Sequence, residues 1–262
     1  MLRIFWNSRS AMMANQEKLD AISNNLANAN TDGYKKVSVS FQDLVSETLK
    51  RNGYPTSAGS GNTSNQFTGT GVKSTAWIQD NTQGTLKETQ KTTDFAIDGD
   101  GYFQATRADG SIAYTRVGHF DTDAENHLVD SNGSRVTILY NPGINGDSIK
   151  YTKDNFTVSE RGEIMIKDGD GYKSVGRLPI YTADGADAFR SVGENYYTPS
   201  QGTNVYEVNN PSMYQGYIEG SNVDMVSEMT DMMVTQRAFE FSSKAMKTAD
   251  DMWGMANNLR SK

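Results

Sequence analysis

The chain has 262 residues, a formal net charge of -7, 36% hydrophobic residues, 24 Gly, 5 Pro and no Cys. That length buries a sizeable core, and the composition suits a turn-rich β protein better than a helical bundle or a disordered polymer. The acidic balance makes nucleic acid and anionic membrane surfaces poor partners, while the absence of Cys excludes disulfides, thiolate nucleophiles and cysteine-held metals.

The first predicted element is a helix from Leu2 to about Asn28, free of Pro and Gly. Its apolar line runs through Phe5, Met12, Leu19 and Leu26, seven residues apart. Ile22 falls at the neighbouring seam position, whereas Ser8 and Asn15 take the equivalent places in the two earlier heptads. Asn30-Thr31-Asp32-Gly33 stops the helix, with Gly33 free to adopt a positive φ. The apolar patch at the start gives way to Asn7, Ser8 and Arg9, too short and polar for a signal-peptide core. No stretch approaches the roughly 20 apolar residues that span a bilayer, so direct membrane insertion is not expected.

Residues 46–75 are dominated by Gly, Ser, Thr and Asn and read as an extended, adaptable segment. Residues 76–213 then show short apolar runs closed by turn signals: Phe95-Ala96-Ile97 before Asp98-Gly99, and Gly101-Tyr102-Phe103 before Asp109-Gly110. Val136 to Tyr140 before Asn141-Pro142-Gly143, and Glu163 to Ile166 before Asp168-Gly169, repeat the pattern. This spacing predicts a compact antiparallel β domain. Asp98-Gly99-Asp100-Gly101-Tyr102 is echoed by Asp168-Gly169-Asp170-Gly171-Tyr172. We read both as tight turns, because a calcium loop needs a third ligand where Tyr102 stands and a Glu at its twelfth position.

The last element, within 214–262, is a helix from Val223 to Leu259 with one Gly, Gly254. Met225, Met232, Phe239, Met246 and Trp253 lie seven apart, flanked by the small residues Thr235, Ser242, Ala249 and Ala256. A strict heptad marks helices that supercoil about partners. Ser221-Asn222-Val223-Asp224 supplies a capping signal, and Glu240 with Lys244 forms an i,i+4 pair. The fold class is therefore α+β: a discontinuous, coiled-coil-like helical domain drawn from both termini, 1–45 with 214–262, flanking an antiparallel β domain at 76–213. Two such helices can close on each other as a hairpin, yet Met at three of five seam positions suits several neighbours. That favours self-assembly over a closed monomer.

Three blocks carry a resemblance. Leu19-Asp20-Ala21-Ile22-Ser23-Asn24-Asn25-Leu26-Ala27-Asn28 with Ala29-Asn30-Thr31-Asp32-Gly33-Tyr34-Lys35 resembles the N-terminal signature of the flagellar rod, hook and hook-associated axial proteins. Phe95 to Phe103 and Tyr114-Thr115-Arg116-Val117-Gly118-His119-Phe120 resemble the β-domain signatures of the hook and distal-rod members. Gln236-Arg237-Ala238-Phe239-Glu240 with Ser243-Lys244 is similar to the C-terminal block. Asn126 stands where the family usually has Gly, and Ala21 where Val is commoner. Length points to the distal rod, with another rod or hook-type member as the alternative.

The resemblance implies a structural subunit that polymerises helically into a hollow shaft carrying torque from motor to hook. It implies a basal-body location reached by type III export without a cleaved signal peptide. The implied partners are copies of itself, neighbouring rod and hook proteins, and ring bushings, with no cofactor. The assembly interface is then expected at Phe5, Met12, Leu19, Ile22, Leu26, Met225, Met229, Met232, Gln236, Phe239, Met246 and Trp253. The amides of Asn24, Asn25 and Asn28 either fix register between neighbours or cap the helix end. Two rivals differ in class. An enzyme would draw on His119 and His127 with Asp121, Asp123 and Glu125, which read instead as a solvated strand edge or turn. A secreted adhesin would use Trp77, Tyr196 and Tyr197, which suit core or subunit contact better.

Overall fold

The structure, a computed structural model, describes residues 2–44, 47–48, 67–69, 71–125, 127–144, 146, 149, 151, 155–168, 171–185 and 188–260. Most of the segment read as extended, 46–75, lies outside the described residues, as do Asn126, Gly169 and Asp170. The chain forms two compact units. Unit 1 comprises Met1–Ala27, Val37–Ile78 and Asp224–Lys262, and unit 2 comprises Asn28–Lys36 and Gln79–Val223.

Unit 1 is built on α1 (Leu2–Ala27) and α2 (Met225–Arg260), which pack against each other. Asp224 starts α2: its carboxylate accepts the amide of Val226 at 2.9 Å, and its carbonyl accepts that of Glu228 at 3.0 Å. The Val226 amide is among the donors that a helix start leaves without internal partners, the Glu228 bond is the first of the helix's own, and the negative charge suits the positive end of the dipole. Strands Val37–Asp43 and Val72–Gln79 form a ribbon in which Thr75 Oγ1 donates to the Ser40 carbonyl at 2.9 Å. Glu47–Thr48 pairs antiparallel with Phe67–Thr68.

Unit 2 is antiparallel β throughout its registered pairings. A nine-stranded sheet follows the order Phe189–Gly193, Tyr196–Pro199, Ile112–Thr115, Tyr102–Thr106, Arg135–Val136, Leu128–Asp130, Phe120–Thr122, with Ile180–Ala183 and Val205–Glu207 joined off that path. A second sheet has four strands: Leu139–Tyr140, Gly171–Arg177, Glu163–Asp168 and Phe156–Val158. Inward residues of both sheets, with Phe95 from the separate strand Phe95–Asp98, share one core around Phe103, Phe120, Phe156, Ile164 and Ile180. Phe103 meets Phe120 edge-on with ring centroids 5.4 Å apart, a geometry that matches positive ring edge to negative face. Tyr196 and Tyr197 are buried in this unit rather than displayed.

The stretch 214–223, grouped by sequence with the C-terminal helix, begins instead inside unit 2. Ser212–Gln215 pairs with Phe95–Asp98, and Tyr217–Glu219 pairs with Leu86–Glu88. Gly216, at φ +80°, separates the two strands, so the chain re-aims there before Asp224 can nucleate a helix. The Asn28–Gly33 turn belongs to unit 2 as well, with Gly33 at φ +68°. A Cβ on Gly33 would meet the Val117 amide nitrogen at 2.9 Å.

Candidate assembly surface

In α2 the buried residues are Glu228, Thr235 and Ala249, and Ser242 is half-buried on the same line. These positions are seven apart, and α1 is the element that covers them. From α1 come Ser8, Ala14, Ala21, Ile22 and Asn25. Small residues on both helices let the backbones approach closely, which is why the seam runs along them and not along the large side chains. Its hydroxyls are already satisfied within α2: Thr235 Oγ1 donates to the Asp231 carbonyl at 2.7 Å, and Ser242 Oγ to that of Ala238 at 2.9 Å.

The expected interface residues fall into three groups around this seam. Ile22 is buried in it. Met12, Leu19 and Leu26 on α1, with Met232, Phe239 and Met246 on α2, are half-buried. Phe5, Met225, Met229, Gln236 and Trp253 are exposed. The asparagines divide likewise. Asn24 is exposed. Asn25 is buried, where its Nδ2 donates to the Val37 carbonyl at 2.8 Å and to Glu228 Oε2 at 3.2 Å, while its Oδ1 accepts the Val37 amide at 2.9 Å. The Asn25 amide thus extends strand Val37–Asp43 as a further peptide group would, inside the chain. Asn28 lies in the unit 2 turn, where its side-chain oxygen accepts Thr31 Oγ1 at 3.3 Å.

A second apolar face of α2 escaped the heptad reading. Val226, Met233, Phe241, Met252, Met255 and Leu259 are all exposed, Phe241 at 70% and Leu259 at 80%. At 100° per residue they occupy a sector about 100° wide on the far side of the helix from Thr235 and Ala249. On α1, Ile4, Trp6 and Met13 are also exposed. The signal was present in the sequence as Val226, Met229 and Met233 at spacings of three and four, but the strict seven-residue line drew attention away from it. A helix with apolar residues on opposite faces has more greasy surface than one partner can cover.

The groups near the histidines form a chain of pairs in which Lys91 Nζ also lies 3.4 Å from His119 Nε2. His119 Nδ1 lies 2.9 Å from buried Asp94, Lys91 pairs with Asp121 at 2.9 Å, and Asp123 accepts the Ala124 amide at 2.6 Å in its own turn. No group of His, Asp and Glu able to hold a metal occurs among the described residues. The Asp98–Gly101 loop instead holds an internal cation. Arg116 donates to the carbonyls of Gly99 and Gly101, and its Nε to Glu219. A cleft of about 150 Å³ in unit 2 is bordered by Lys35, Tyr102, Arg116 and Phe189, and its two cations are already engaged by Glu219 and main-chain carbonyls.

Comparison with known proteins gives a consistent result along the whole chain. Residues 6–35 match the flagella basal body rod protein family, residues 96–166 the flagellar hook protein FlgE/F/G D1 domain, and residues 214–259 the flagellar basal body rod FlgEFG protein C-terminal domain. The flagellar basal-body rod protein FlgG of Borreliella burgdorferi is 34% identical, covering 99% of both chains. That of Bacillus subtilis is 35% identical over 99% of this chain and all of its own. The flagellar hook protein FlgE of Borreliella burgdorferi is 33% identical, over 66% of this chain and only 38% of its own.

Proposed function

Because the chain belongs to the flagellar basal-body rod protein family, we propose that it is a structural subunit of the rod which assembles helically through α1 and α2 into a torque-bearing shaft. Its role is mechanical rather than catalytic. The observation that carries this reading is the uncovered apolar face of α2, opposite a seam that α1 already fills. A face of that size is costly to leave in water, and copies of the same helix pair offer a complementary surface. Contacts that repeat head-to-tail without closing generate a filament.

In this assembly the half-buried flanks Leu19, Met232, Phe239 and Met246 interlock with neighbours in coiled-coil fashion, and exposed Phe5, Met225, Met229, Gln236 and Trp253 complete the contact. Neighbouring rod and hook proteins and the ring bushings are the further partners, and the basal body is the location. The rod reading is favoured over the hook one by the extent of the match: the rod relatives align over nearly all of both chains, whereas the hook relative aligns over 66% of this chain and 38% of its own. The test is electron microscopy with light scattering on the full chain across a concentration series. Rod-like polymers appearing above a threshold concentration are expected. A chain that stays monomeric at every concentration refutes the proposal.

A further inference from the structure

Unit 2 contains a buried ionic cluster whose members come from three distant parts of the chain. Lys35 Nζ donates to Glu219 Oε1 at 2.7 Å, and Arg116 Nε donates to Glu219 Oε2. Side-chain exposures are 3%, 4% and 1% for Lys35, Arg116 and Glu219, so all three are removed from water. The Glu219 carboxylate also accepts the Gly84 amide at 2.9 Å, and its main-chain carbonyl accepts that of Gly33 at 2.8 Å. Each matched family stretch, 6–35, 96–166 and 214–259, contributes one member.

The two cations have seats that need little of the rest of the chain. Arg116 is held by the carbonyls of Gly99 and Gly101, 17 and 15 residues away, and Lys35 by the Thr82 carbonyl at 2.8 Å. Those seats are neutral. The carboxylate that faces both arrives from 103 and 184 residues away, on strand Tyr217–Glu219. Contacts between distant residues require large loops to close, so they form late unless something local favours them. Burying the two cations without a counter-charge is strongly unfavourable. Gly84 and Gly220 then let the strap settle, since a Cβ on Gly84 would lie 2.0 Å from the Gly220 carbonyl oxygen.

We infer that Glu219 is the closing latch of unit 2: the strap at residues 212–222 docks last and neutralises cations already cradled by main-chain carbonyls, so that unit 2 completes only when nearly the whole chain is present. This goes beyond the assembly reading and does not depend on it. A chain made or moved from its N-terminus onward stays open until its C-terminal part arrives.

Pulsed hydrogen exchange during refolding of the full chain tests the order directly. The amides of Gly33 and Gly84, bonded to Glu219, and of Gly220, bonded to Thr85, are expected to gain protection after those of the Tyr102–Thr106 and Ile112–Thr115 pair. Protection of the three glycine amides together with or before that pair overturns the inference. For Glu219→Gln, the unfolding rate is expected to rise about a hundredfold while refolding changes less than about twofold. Should that variant not fold, Glu219→Asp, which keeps the charge but shortens the reach, supplies the same pair of rates. Slowed refolding with an unchanged unfolding rate would place the cluster in the folding nucleus and refute the latch.

Discussion

Phe241 offers a clean separation of assembly from folding. It is 70% exposed on the far face of α2, so Phe241→Ala removes almost nothing that α1 covers. Surface changes of this kind shift stability by about 0.5 kcal/mol or less, and Ala is the better helix former. In a polymer that buries this face, losing the ring forfeits about 2 kcal/mol of apolar burial per subunit. That corresponds to about a 30-fold rise in the concentration at which polymer first appears. Sedimentation measures the threshold. The fluorescence of Trp6, Trp77 and Trp253, all three in unit 1, follows its melting in the same samples. A threshold unchanged by the substitution, or one that rises only because unit 1 melts early, would refute the assignment of this face.

Substitution on the opposite face should do the reverse. Ala249→Leu forces extra volume into the buried seam and is expected to destabilise unit 1 by about 1–3 kcal/mol, read as an earlier tryptophan-detected melt. Gly33→Ala combines a φ of +68° with a contact 2.9 Å from the Val117 nitrogen, so unit 2 should lose about 1–3 kcal/mol in urea denaturation followed by near-UV tyrosine dichroism. Alkaline stability has two opposed parts. Burial pushes the phenols of Tyr102, Tyr151, Tyr196 and Tyr197 above their ordinary value of 10.0. The unfolded chain therefore releases protons that the folded chain keeps, and unit 2 loses stability as pH climbs past that value. Burial lowers the pKa of Lys35 from 10.5, so its contribution is unfavourable at neutral pH and eases between its folded value and 10.5. Lys35→Met should abolish the rise and leave the alkaline loss intact, as measured by urea midpoints across pH alongside phenolate absorbance.

Much of the architecture was legible because it rests on short-range rules. The lack of Pro and Gly gave α1, the capping run Ser221 to Asp224 marked the start of α2, although the helix begins at Met225 with Asp224 as its cap, and Asp98-Gly99 and Asp109-Gly110 gave turns of unit 2. The apolar run from Val136 to Tyr140 was read as one strand, whereas the structure breaks it into Arg135–Val136 and Leu139–Tyr140, which join different sheets. Periodicity cannot show that break, because both halves stay apolar on leaving one sheet for the other. The ionic cluster was equally invisible. Lys35, Arg116 and Glu219 sit in polar or mixed segments, and a single buried charge leaves no periodic trace in a sequence. Glu228 was hidden for the same reason, although it opens the seam line that Thr235, Ser242 and Ala249 continue.

The heptad line of α2 runs beside the line of small residues that packs on α1. Met225, Met232, Phe239, Met246 and Trp253 do repeat every seven residues, and three of them border α1. Yet the line that α1 covers most fully is the small one beside them. Close approach along small residues leaves no room for large side chains at the centre, so these are displaced to the flanks and beyond. Small residues in α2 thus close the intramolecular pair, while Phe241 and Leu259 stay outside it because their places along the helix put them on its other face.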